Sequence, residues 1–143
     1  MQVTALFFPP NIIVTTQKPD LVLIDEAGRR IIIFELTCPF DSNIEKQHGY
    51  KMNKYAALVG DLSTSFSVDL YCFEVSVRGQ ICRQNKARLK SFLLASTGLR
   101  HISCKELIVN VSKAALLCSF SLFCARNEGL WSSHPDLSVL VTS

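Results

Sequence analysis

The chain has 143 residues and a formal net charge of +3, so it is the size of one ordinary domain, and long two-domain architectures are excluded. With 48% of its residues apolar, it has enough hydrophobic material for one core, which argues against a disordered chain. The modest net charge hides an asymmetry. Between Val75 and Lys105 stand seven basic residues (Arg78, Arg83, Lys86, Arg88, Lys90, Arg100, Lys105) and no Asp or Glu. Such a stretch suits either a phosphate backbone or a solvated helix face.

In chain order, residues 1–16 form an apolar N-terminal extension broken at Pro9-Pro10, with no clear period. It has neither a charged start nor a cleavage site, so it is not read as a secretory signal. Leu21-Val22-Leu23-Ile24 is a short strand run, and Asp25-Glu26-Ala27-Gly28 is the turn that closes it. Ile31 to Thr37 follows as a second strand, apolar enough to be covered on both faces, except for a Glu near its end. Pro39 stops it. Asp41 or Ser42 then stands where a helix cap belongs, with Glu45 in capping-box register, and a helix is expected over 43–59. Its residues Ile44, Gln47, Lys51, Lys54, Tyr55 and Leu58 share one side.

Ser67–Val77 alternates as a third strand, with Val68, Leu70 and Cys72 on one face and Asp69, Tyr71 and Phe73 on the other. A basic helix is expected over 85–95, stopping near Gly98, and a long helix over 104–126. The segment Leu107–Ala125 approaches the length of a membrane span, but Asn110 and Lys113 dilute it, so a buried or half-buried helix is expected and no membrane partner. The tail at 132–143 is expected to be loose. The six cysteines form no Cys-x-x-Cys pair and are read as reduced, mostly buried core residues of an intracellular protein.

The chemistry concentrates in Pro19-Asp20 and Glu35-Leu36-Thr37. In an antiparallel hairpin the start of one strand lies beside the end of the next, so Asp20 and Glu35 meet at one end of the sheet. Two carboxylates and the carbonyl of Leu36 make a hard-oxygen set suited to Mg2+ or Mn2+. Thr37 stands two residues after the acid. The helix that follows carries Lys51 and Lys54, with Lys51 sharing a face with Gln47 and Tyr55. No Ser-His-Asp or Cys-His set and no Gly-rich phosphate loop stands out.

These residues resemble the PD-(D/E)XK, restriction-endonuclease-like domain of site-specific non-LTR retrotransposons. The likeness is carried by Glu35-Leu36-Thr37-Cys38-Pro39-Phe40, by Asn43-Ile44-Glu45, by His48, Lys51 and Lys54-Tyr55, and by Phe73-Glu74-Val75-Ser76-Val77-Arg78-Gly79. Arg126 and Trp131 match the family's closing helix more loosely. The resemblance implies an α/β fold, a small mixed β-sheet flanked by helices, over residues 17–131.

It further implies a metal-dependent DNA endonuclease in which Asp20, Glu35 and the Leu36 carbonyl hold the metal. Lys51, with Lys54 as substitute, would take the place of the family's lysine. Thr37, Gln47 and Tyr55 would orient the site, and Arg78, Arg83, Lys86, Arg88 and Lys90 would meet the DNA backbone. DNA and the reverse transcriptase portion of a parent element are the implied partners, and the nucleus the implied location. Relatives carry a further acid upstream of the first strand. Residues 1–17 contain none, so the chain is expected to be a fragment or domesticated relative of such an element. A non-catalytic nucleic-acid-binding or vestigial domain of the same fold is the alternative.

Overall fold

The computed structural model describes residues 2–4, 8–96 and 102–127. Strand β2 (Leu21–Asp25) and strand β3 (Arg30–Thr37) form an antiparallel hairpin in which Leu21 pairs with Phe34 and Asp25 with Arg30. The turn is stabilised by the Gly28 N–H, which donates to Asp25 Oδ1 at 3.1 Å, and Arg29 takes a left-handed φ of 50° to complete it. A 3-10 turn at Asp41–Asn43 leads into helix α1 (Ile44–Leu62). The chain returns through strand β4 (Ser67–Glu74), which pairs with β3 in parallel, Ile31 against Val68 and Thr37 against Glu74. The parallel pairing requires a crossover, and α1 is that crossover. Strand β1 (Gln2–Thr4) lies antiparallel to β2, giving a four-stranded mixed sheet in the order β1-β2-β3-β4.

Helix α1 covers one face of the sheet, where Val22, Ile24, Ile31 and Ile33 pack with Tyr55, Leu58, Leu62 and Phe8. Helix α2 (Arg83–Ala95) and helix α3 (Cys104–Asn127) cover the other face. There Leu23, Ile32, Phe73 and Val75 pack with Leu89, Phe92 and Leu93, and Leu107, Ile108 and Val111 of α3 close over them. The isoleucine run of β3 is therefore buried on both sides, which is why it shows no polar alternation. The guanidinium of Arg30 ties the sheet to α2: it pairs with Asp69 at 2.6 Å and donates to the Ala95 carbonyl at 3.3 Å.

Several expectations need correction. No side-chain hydrogen bond caps the 3-10 turn or α1, so the Ser42–Glu45 capping box does not form; Asp41 instead pairs with Arg78. The third strand stops at Glu74 rather than Val77 because Ser76–Gln80 folds into a turn, with Gly79 donating to Ser76 and Ser76 to Gln80. Gly79 is required there: its φ is +77°, and an added Cβ would sit 2.5 Å from the Ser112 carbonyl. Of the six cysteines only Cys72 is buried; Cys38 is exposed and the other four are half-buried, all of them free.

Helix α3 is the one helix among the described residues long and apolar enough to cross a membrane by length and composition. One stripe of it rests on the domain, while Leu116, Leu117, Phe120 and Phe123 are exposed. Phe8, Ile12 and Ile13 pack at the core on the α1 side, and residues 2–4 pair with β2. Gly98, Arg100, Trp131 and the tail lie outside the described residues.

Candidate active site

Asp20 and Glu35 continue the β2–β3 register, in which paired positions sum to a constant, by one step beyond Leu21–Phe34. The backbone confirms the juxtaposition. The Asp20 N–H donates to Glu35 Oε2 at 3.2 Å, and the Leu36 N–H donates to Asp20 Oδ2 at 2.8 Å. Both side chains belong to the set facing α1, since residues two apart on a strand share a face and Val22 and Ile33 lie in that core.

Their environments differ. Glu35 is 3% exposed, whereas Asp20 is open to solvent. A carboxylate as buried as Glu35 needs partners. Lys51 Nζ pairs with its Oε1, and the Tyr55 hydroxyl donates to its Oε2 at 3.0 Å. Both lysine and tyrosine come from α1, one turn apart. The Tyr55 hydroxyl is pushed far above the usual phenol range, first by burial, then by its bond to Glu35 and the negative charges of Glu35 and Asp20. Lys54 lies outside, its Nζ 3.2 Å from the Tyr55 oxygen and 4.7 Å from the centre of its ring.

The N–H and C=O of one strand residue point to the same side. The Leu36 N–H points at Asp20, so its carbonyl opens on the same side, beside the Asp20 carboxylate. Thr37 faces the other way, its carbonyl accepting the Val75 N–H, and its buried hydroxyl has no hydrogen-bond partner. Gln47 is half-buried on α1. Gln17 donates to the Lys54 carbonyl at 2.9 Å, while its own buried oxygen is unpartnered.

A second acid lies one strand over. Glu74 is fully buried at the end of β4, opposite Thr37. His48 Nδ1 is 2.9 Å from its Oε1, Arg88 Nη1 is 3.5 Å from its Oε2, and Asn85 donates to its backbone carbonyl at 2.8 Å. Arg88 is held more closely by Asn85 Oδ1, at 2.7 Å. His48 and Arg88 line a cleft of about 490 Å3 with Asp41, Ser42, Glu45 and Gln84.

Cys72 lies close enough to both acids to feel their charge. Cys72, next to Glu35 in register, has its thiol pushed up to about 11, first by burial and then by the charges of Glu74 and Glu35, with Lys51 and Arg88 opposing. Sequence reading did not single out Glu74 because its partners come from α1 and α2. The available signal was a Glu in a strand otherwise apolar at its end.

The basic residues divide. Arg83, Lys86 and Lys90 are exposed on α2 at spacings that place them on one side of the helix. Arg88 turns inward to Glu74 and Asn85. Arg78, its side chain 68% exposed, pairs with Asp41; hydrogen bonding from Ser76 and then the Arg78 guanidinium hold the Asp41 carboxyl below its usual range.

Among the described residues no three His, Cys, Asp or Glu side chains cluster at metal-ligand spacing. Any metal site here rests on two carboxylates and a backbone carbonyl. That all-oxygen set, open to solvent at Asp20, fits a hard divalent ion that keeps several waters. Comparison with family models, curated proteins and solved structures returns no match.

Proposed function

We propose that this domain is a metal-dependent, restriction-endonuclease-like DNA endonuclease of retroelement origin, hydrolysing phosphodiester bonds. The observation that carries the reading is the placement of Asp20 and Glu35 on facing strands, on one face, with Lys51 reaching Glu35 from the crossover helix. Asp20, Glu35 and the Leu36 carbonyl are the groups to hold Mg2+ or Mn2+. When bound, such an ion lowers the pKa of a water and offsets charge on the phosphate.

The chain's own residues do the rest. Tyr55 fixes the Glu35 carboxylate through its hydroxyl, so the acid keeps one orientation. Lys51 places a positive charge beside the reacting phosphate, where charge accumulates in the transition state. Arg83, Lys86 and Lys90 present a basic face that binds backbone without reading sequence. A reverse transcriptase in the same parent element would use the cut strand.

One observation favours a second reading, a non-catalytic nucleic-acid-binding domain: both oxygens of Glu35 already have protein partners, as in a self-contained structural network. Plasmid nicking with Mg2+ separates the two. The endonuclease reading expects nicking by the wild type that Asp20→Ala and Glu35→Ala abolish. Salt-sensitive DNA binding without nicking selects the second reading. Equal nicking by all three proteins overturns the site.

A further inference from the structure

We propose that His48, oriented by the buried carboxylate of Glu74, is the general acid that protonates the leaving oxygen of the cut strand. This rests on the endonuclease reading above and adds a group to it. The pairing carries the argument. The fully buried Glu74 carboxylate lies 2.9 Å from Nδ1; in the proposed role Nδ1–H donates to it, which holds the ring's orientation. Nε2 is then the nitrogen left for chemistry, and the His48 side chain, 24% exposed, lines the cleft. A buried acid holding a partly open imidazole by one nitrogen is the arrangement by which proteins aim a histidine at a substrate.

The charges around the ring fit the role. Glu74 on β4 lies against it and Glu45 lies one turn earlier on α1 at the same cleft. Arg88 on α2 approaches Nδ1 to 3.4 Å, but its nearest acceptor is Asn85, so the Glu74 carboxylate has His48 as its closest partner. In the proposed role the ring acts as imidazolium, with Nδ1–H on the buried Glu74 carboxylate and Nε2–H toward the substrate.

Position relative to Lys51 completes the case. His48 and Lys51 are three residues apart on α1, which sets their Cβ atoms about 5–6 Å from each other on one face. Each is bonded to a different acid, Glu74 and Glu35, at the ends of neighbouring parallel strands. In-line displacement puts the attacking and leaving oxygens on opposite sides of phosphorus. A phosphate bound at Lys51 with its attacking water on the Asp20 side presents its leaving oxygen toward His48. Water oxygen bonds to phosphorus, and its proton passes to solvent. The bond from phosphorus to the leaving oxygen breaks, and that oxygen takes the Nε2 proton. The neutral imidazole then regains a proton from water.

The test uses the full chain with Mg2+ and two oligonucleotide duplexes: ordinary DNA, and DNA with sulfur in place of the bridging leaving oxygen at the cut linkage. A thiolate leaves without protonation. His48→Gln keeps a donor for Glu74, so the buried acid stays satisfied and folding is checked by thermal unfolding. The expected result is a fall of about 10²–10⁴-fold in single-turnover cutting of ordinary DNA, with cutting of the sulfur-bridged DNA changed by less than about threefold. Glu74→Gln, which removes the charge behind the imidazolium, shows the same pattern with a smaller loss. Equal losses on both substrates overturn the proposal, because they mark a structural role. Unchanged cutting of ordinary DNA by His48→Gln also overturns it while leaving the endonuclease reading intact. No cutting by the wild type overturns both.

Discussion

Tyr55 has no exposure to solvent, and its hydroxyl is one of three groups that satisfy the Glu35 carboxylate. Tyr55→Phe leaves that acid with Lys51 and the Asp20 N–H alone. The expected cost is about 1.5–3 kcal/mol, the worth of a hydrogen bond to a charged group, read from urea unfolding. Thr37 behaves oppositely. Its buried hydroxyl bonds to nothing, so Thr37→Val is expected to be neutral or stabilising by up to about 1 kcal/mol. If nicking falls while stability holds, Thr37 has a role in orienting the site.

Cys72 adds a pH signature. Its thiol ionises near 9.0 in the unfolded chain and is pushed up to about 11 by burial beside Glu74 and Glu35. A raised value in the folded state gives stability that is complete below pH 9.0 and is lost as pH rises toward 11. Cys72→Ala is expected to flatten the decline in stability over that window. An unchanged slope would remove Cys72 as its cause.

At the scale of elements, the hairpin was legible because one turn and strict pairing leave no freedom: once β2 and β3 are strands, Asp20 must meet Glu35. Lys51 and Tyr55 were legible for the same reason, being one turn apart on a helix whose apolar face is fixed by Leu58. Glu74 was not, because its environment is assembled from His48 on α1 and from Asn85 and Arg88 on α2. No local period encodes such a three-element meeting. The pairing of Arg78 was not legible for a similar reason, since its acid partner Asp41 lies in the 3-10 turn 37 residues earlier.

The β4–α3 junction also depends on a contact distant in sequence. Ser112 donates its hydroxyl to the Gly79 carbonyl, and an added Cβ at Gly79 would meet the Ser112 backbone. Gly79→Ala is therefore expected to destabilise the domain by about 1–3 kcal/mol and to loosen α3. Thermal unfolding with hydrogen exchange along 104–127 checks this.

For the whole molecule, the proposed endonuclease draws its acids from the sheet, Lys51 and His48 from α1, and its basic face from α2. Lys86→Ala with Lys90→Ala is expected to weaken DNA binding uniformly across sequences and to lower the salt slope by about 2 if both lysines meet phosphates. A slope that does not change would assign the exposed face of α2 to solvent alone. The account as a whole depends on Asp20 and Glu35 sharing one divalent ion. Titration of the full chain with Mn2+, followed by electron paramagnetic resonance of the free ion, measures this without reference to activity. The account predicts one site per chain, lost in both Asp20→Asn and Glu35→Gln. Mn2+ binding that survives both substitutions, or that is absent from the wild type, contradicts it.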